Sequence, residues 1–247
     1  MKIELVTAYN KVLFDRYAHR FNETYCWKFP CYTYHEDNID SIIDKYSYGK
    51  DGKTPFFYRH IFEEAPNCKL FVERNKHRKY KNFLFDAVRF SYKVYSYTHA
   101  ILNSDADGII WIDADSVFYK PIDEDWIKEH IYSEDCMITY LGRGNQYSEC
   151  GFLYFNMKHP KIKDFALAMK EMYDKDLIYN EIEQHDSYIF DVVRKRFEVN
   201  FDVQNHNIGD QAKAHVQARS ILGTIYDHTK GNRKESGVSP EWLRRNR

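Results

Sequence analysis

The segment Ile109-Ile110-Trp111-Ile112 constrains the fold of this chain more than any other. It is apolar at every position, so both of its faces must be covered, as expected for a short strand in the middle of a sheet. Before it stands a polar turn, Asn103-Ser104-Asp105-Ala106-Asp107-Gly108. Before that, from about Asn82 to Leu102, the residues Phe85, Val88, Tyr92, Tyr95, His99 and Leu102 recur three or four positions apart and predict a helix with one buried stripe. A helix that leads through a turn into a central strand is a crossover unit, and it predicts an α/β fold.

Other elements fit that class. Ile3 to Ala8 reads as a strand ending in Tyr9-Asn10, and Cys26 to Tyr34 as an aromatic, partly alternating strand. Asn38-Ile39-Asp40 opens a helical pattern carrying Ile42, Ile43 and Tyr46. Further strands are expected near Met137–Leu141, Gly151–Phe155 and Leu222–Tyr226, with helices near Ile162–Tyr173 and Ser187–Arg196. The tail after His228 is polar and lacks periodicity.

With 247 residues, 43% of them hydrophobic, and only 10 glycines and 6 prolines, the chain is expected to form one domain with a sizeable core. Its five cysteines are odd in number and form no C-x-x-C pair, which argues against a disulfide framework and a zinc knuckle. Lys and Arg total 36 against 37 Asp and Glu, a net charge of −1 that excludes a uniformly basic protein. No apolar run approaches the roughly 20 residues of a membrane helix, and the start MKIELVTAYN lacks the apolar stretch of a secretory leader, so a cytoplasmic location is expected.

Asp113-Ala114-Asp115 follows the central strand directly. Where the backbone leaves a sheet, two carboxylates two residues apart can turn toward one cation. Such oxygen ligands suit Mg²⁺ or Mn²⁺ when phosphate oxygens fill the remaining positions, so diphosphate handling is implied. The plainer alternative is a pair of turn residues. A second constellation favours the site: His228-Thr229-Lys230-Gly231-Asn232-Arg233-Lys234, again after an apolar run, Ile221 to Tyr226. There His228 can complete a metal's coordination, Gly231 admits close backbone approach to a phosphate, and Lys234 brings a point charge to a diphosphate. Taken alone it would read as a solvated basic tail.

Together these residues resemble the metal-dependent nucleotide-sugar glycosyltransferases of the GT-A type, in particular the retaining, glycogenin-like enzymes with a C-terminal H-x-x-G-x-x-K motif. His228, Gly231 and Lys234 match that motif, and Asp113 and Asp115 match the D-x-D; Glu235-Ser236 follows Lys234 where that subfamily usually carries Pro-Trp. The resemblance implies a Rossmann-like fold with a single mixed central sheet flanked by helices. It divides the chain into a nucleotide-binding half over 1–122, an acceptor and catalytic half over 123–234, and a basic tail over 235–247. Thr7, Ala8 and Tyr9 would hold the base of the donor, most simply a UDP-sugar. Asp113 and Ala114 would lie along the donor, and Asp113, Asp115 and His228 would bind Mn²⁺ or Mg²⁺.

Further residues follow from the same resemblance. Lys93, rather than Arg89 four residues earlier on the long helix, would reach the donor, although a solvated basic face explains both equally well. Glu149 and Gly151 would border the transferred sugar, Glu149 as a partner for hydroxyls and Gly151 by permitting close approach. Asp186, beside His185, would stabilise positive charge at the anomeric carbon, the alternative being a helix cap. The implied enzyme is a hexosyl- or pentosyltransferase acting on an acceptor hydroxyl with retention.

Two rivals come from other classes. Asp113-Ala114-Asp115-Ser116-Val117 also satisfies the D-x-D-x-[T/V] pattern of haloacid-dehalogenase-type phosphatases, but more than a hundred residues precede it and Gly209-Asp210 is followed by Gln-Ala-Lys-Ala, with no second acid. A non-catalytic carbohydrate or nucleotide-sugar module would share the same motifs. The acceptor is a glycan, a small molecule or hydroxylated bases of viral DNA. The last is suggested by residues 73–81, with five Lys/Arg against one Glu, and residues 230–247, with six against two.

Overall fold

The computed structural model describes residues 1–78, 80–209 and 215–245. Seven strands form one mixed sheet: β1 (Ile3–Ala8), β2 (Cys31–His35), β3 (Phe56–His60), β4 (Gly108–Ile112), β6 (Cys136–Arg143), β7 (Gln146–Asn156) and β8 (Gln204–Asn207), in the order β3-β2-β1-β4-β7-β6-β8. β3, β2, β1 and β4 run parallel, and β7 lies antiparallel to both β4 and β6. β5 (Ser116–Phe118) and β9 (Tyr226–His228) form a separate antiparallel ribbon.

The apolar run reads out as expected. In β4, Ile109 and Trp111 join the core on one face of the sheet while Ile110 and Ile112 join the core on the other. The first core is roofed by the helices Ala87–Asn103, Ile162–Asp174 and Asp186–Phe201. The second contains Phe29, Phe118 and Tyr226, whose rings pack edge-on around Trp27. Among the described residues no helix is long and apolar enough to cross a membrane.

Several boundaries differ from the sequence expectation. The strand expected from Cys26 begins at Cys31, because Trp27 and Phe29 leave the sheet to fill the second core. The long helix starts at Ala87 rather than near Asn82, since the Asp86 side chain accepts from the Arg89 N–H at 3.2 Å and so caps it; Phe83–Phe85 form a separate 3-10 turn. The strand expected over Leu222–Tyr226 is shifted: Ile221–Thr224 is a 3-10 turn and the strand is Tyr226–His228. In the tail, Arg233–Ser236 and Pro240–Arg245 are helical despite their lack of periodicity. The Asp210–Ala214 segment weighed for a second acid lies outside the described residues, as do Lys79 and Arg247 of the two basic segments.

The cap gives a test of how the helix is anchored. Asp86→Ala is expected to lower stability by about 1 kcal/mol, read as a lower urea midpoint with unchanged slope.

Candidate functional site

The parallel strands end on one edge of the sheet, and a cleft of about 530 Å³ opens there. Ala8 and Tyr9 after β1, His35 and Glu36 at the end of β2, and Asp113, Ala114 and Asp115 after β4 line it, faced by Arg89, Phe90 and Lys93 from the long helix and by Lys234. Thr7, expected at the base, does not line the cleft; its position in β1 turns the side chain into the protein, where Oγ1 has no hydrogen-bond partner among the described residues.

The D-x-D and the C-terminal motif meet through the β5–β9 ribbon, in which Ser116 is paired with His228. Thr229 strengthens the join, its N–H and hydroxyl both donating to the Asp115 carbonyl, at 2.8 and 2.7 Å. His228 Nε2 thereby lies 3.0 Å from Asp115 Oδ1 and 3.7 Å from Asp113 Oδ2. One ligand atom from each of the three residues falls within 4.8 Å of the others. Two carboxylates and an imidazole converging at that spacing fit an octahedral divalent cation of the Mg²⁺ or Mn²⁺ kind. Ala114, between the two acids, packs instead with Tyr9, Phe14 and Tyr17.

Gly151 makes room for the imidazole, since a Cβ at this position would collide with His228 Cε1. Gly231, with φ of 65°, occupies the left-handed region and turns the chain between Lys230 and Lys234.

Lysines balance the acids. Lys93 Nζ lies 2.8 Å from Asp113 Oδ1 and 2.7 Å from Asp186 Oδ2, and it also donates to the Cys150 carbonyl at 2.6 Å. Lys234 Nζ lies 2.9 Å from Asp115 Oδ2 and over the Tyr17 ring. Lys230 pairs with Glu149, which also has Arg143 at 3.6 Å. Burial by itself would raise the acids, but the pairing outweighs it: His228 and Lys234 hold Asp115 well below the usual carboxylate range, and Lys230, His228 and Arg143 hold Glu149 at about 2. Burial opposes a charged His228 as well, yet Asp115, Glu149 and Asp113 push it above its ordinary value.

Asp186 is not the helix cap. That role falls to His185, whose Nδ1 accepts from the Tyr188 N–H and whose Nε2 meets Glu183 at 2.7 Å, so His185 stands outside the charge cluster while Asp186 is free to reach Lys93. Of the two basic candidates on the long helix, Lys93 enters the cluster; Arg89 lines the cleft and rests on the Phe90 ring. Sequence reasoning missed Glu36, Lys230 and Tyr17. Glu36 lies one residue beyond β2 and accepts from Asn10 Nδ2 at 3.0 Å; locating the strand's end at His35 would have drawn attention to it.

No protein-family model matches this chain, and no curated protein does. Solved structures do. Mouse xyloside xylosyltransferase 1 superposes with a TM-score of 0.54 over 85% of this chain and 86% of its own, at 11% identity. The glycosyltransferase GlyE of Streptococcus pneumoniae superposes with a TM-score of 0.53 over 85% of this chain, at 14% identity; the match spans 46% of GlyE. The chain has the GT-A glycosyltransferase fold. In GT-A terms, the cleft lies along the edge of the sheet where β1, β2 and β4 end, with the D-x-D at the end of β4.

Two outcomes test this geometry. Because Lys234 occupies Asp115 Oδ2, Lys234→Met should tighten binding of Mn²⁺ alone by about tenfold or more, measured as free Mn²⁺ by electron paramagnetic resonance. For Glu149, whose folded value is depressed from 4.5 to about 2, the paired carboxylate stabilises the fold fully above 4.5 and loses that effect as pH falls toward 2. The stability deficit of Glu149→Gln is therefore expected to be complete at pH 7 and to shrink across that window in urea titrations.

Proposed function

We propose that this protein is a metal-dependent glycosyltransferase that moves a sugar from a nucleoside diphosphate sugar to an acceptor hydroxyl with retention. The observation that carries this reading is the meeting of Asp113, Asp115 and His228 within 4.8 Å beside Lys234, on a cleft at the strand ends of a GT-A fold. Mn²⁺ or Mg²⁺ held by those three side chains would neutralise charge building on the leaving diphosphate. Lys234, close to Asp115, is within reach of the same phosphates and adds a fixed positive charge. Ala8 and Tyr9, at the end of β1 beside the strand that carries the D-x-D, take the base of a UDP-sugar.

Asp186, buried and held by Lys93, presents negative charge where the anomeric carbon becomes positive. Lys93 itself fixes the orientation of both Asp113 and Asp186, a positioning role. Glu149, ionised through its pairing with Lys230, is an acceptor for sugar hydroxyls. The donor sugar is a hexose or a pentose.

The DNA reading draws less support. The arginines of the two basic segments are largely engaged internally: Arg74 with Asp176, Arg78 over the Tyr179 ring, Arg233 with Glu241, and Arg245 with the carbonyls of Ala218 and Ser220. The phosphatase reading needs Asp113 free as a nucleophile, whereas its Oδ1 accepts from both Lys93 and Trp111 at 2.8 Å.

Incubation with a panel of nucleoside diphosphate sugars and Mn²⁺ should release nucleoside diphosphate from one of them. Asp115→Asn should lower that rate by more than the roughly 10- to 100-fold that outer-shell metal partners cost. Binding of a donor without any release would point to the non-catalytic module instead.

A further inference from the structure

Three charged residues of the reaction site stand beside a ring from their own segment: Phe90 one helical turn before Lys93, Tyr147 two residues before Glu149, and His185 next to Asp186. These rings converge. Tyr147, Phe83 and Phe90 surround the His185 imidazole with centroid distances of 4.3, 5.8 and 6.3 Å. His185 is buried beneath them and tied to Glu183, while Phe90 lines the cleft and Phe83 is 47% exposed. Joined through His185, the rings form one wall that runs from the cleft, at Phe90, to the surface, at Phe83, beside Lys93 and Asp186.

The charged groups along this wall are of both signs. Arg89 has no ion-pair partner among the described residues and lies over Phe90; Arg143 is shared with Glu149 and lies over Tyr147; Glu183 carries the imidazole. A nucleic acid strand needs a positive groove that follows its phosphates, and an interleaved rim does not supply one. An uncharged sugar ring fits both features. Its C–H face is apolar and weakly positive, matching the negative face of an aromatic ring, and its hydroxyls donate to the acids and accept from the arginines.

We infer that the wall of Phe83, Phe90 and Tyr147 is the acceptor subsite and that it takes an uncharged pyranose ring of a glycan, stacked on the exposed Phe83 ring. This inference rests on the glycosyl-transfer reading for the word acceptor, and the test separates the two. Saturation-transfer NMR of the full chain uses methyl β-D-glucopyranoside, methyl β-D-galactopyranoside and methyl β-D-xylopyranoside as probes, with a single-stranded oligodeoxythymidylate as competitor class. Transfer to the ring C–H protons of at least one pyranoside is expected, reduced about 3- to 10-fold in affinity by Phe83→Ala and retained in Phe83→Tyr. The thermal shift induced by nucleoside diphosphate and Mn²⁺ in the same variants reports that the fold and donor site persist.

Absence of transfer to all three pyranosides, equal transfer in Phe83→Ala, or oligonucleotide binding that Phe83→Ala abolishes would overturn the inference. Donor turnover accompanied by any of those results leaves glycosyl transfer standing and removes the pyranoside subsite. Pyranoside binding through Phe83 with no donor bound or turned over keeps the sugar-binding wall and removes the transfer reading.

Discussion

The pairing of Ser116–Phe118 with Tyr226–His228 is the interaction on which the site depends. Without it, His228 would stand more than a hundred residues of chain away from the acids it joins. Only three residue pairs make the ribbon, but they are buried, and the rings of Phe118 and Tyr226 stack within the second core against Trp27. The hydrophobic effect that fills this core therefore also sets the register of His228 against Asp113 and Asp115, and the two hydrogen bonds from Thr229 to the Asp115 carbonyl lock it.

A second constraint is charge. Four carboxylates, Asp113, Asp115, Glu149 and Asp186, are gathered in a largely buried place, and removing them from water unpaired would be costly. Lys93, Lys230 and Lys234 offset that cost in the structure. On the proposed function, a lysine that passes from a carboxylate to a phosphate frees an oxygen for a cation, so diphosphate and metal would favour each other's binding. Gly151 belongs to this arrangement through sterics alone, since only a residue without Cβ leaves the space that the His228 ring occupies.

Much of the architecture was legible because burial on both faces leaves an unambiguous pattern. Bounded by a polar turn, the run Ile109–Ile112 forms the central strand here, and the stripe of the long helix marks its partner. Legibility failed where aromatic residues serve the core from outside regular elements. Trp27 and Phe29 mimic a strand pattern without being in one, and Leu222 is buried from a 3-10 turn. Caps were legible only in part: Asp86 starts the long helix later than periodicity suggests, and His185 takes the capping role that an aspartate would ordinarily hold.

By itself, the sequence determined the element types of the central crossover, the acidic pair at a strand's end, and a histidine, a glycine and a lysine three residues apart near the C-terminal end. These are local properties, set by side-chain period and by which atoms can ligate a cation. Tertiary structure alone decided that Lys93 bridges Asp113 and Asp186, that Glu149 is ionised against Lys230, that Gly151 serves His228, and that four rings gather beside the acids. Each joins segments far apart in the chain, and contact between such segments depends on how the sheet stacks its strands and on which core each face must fill.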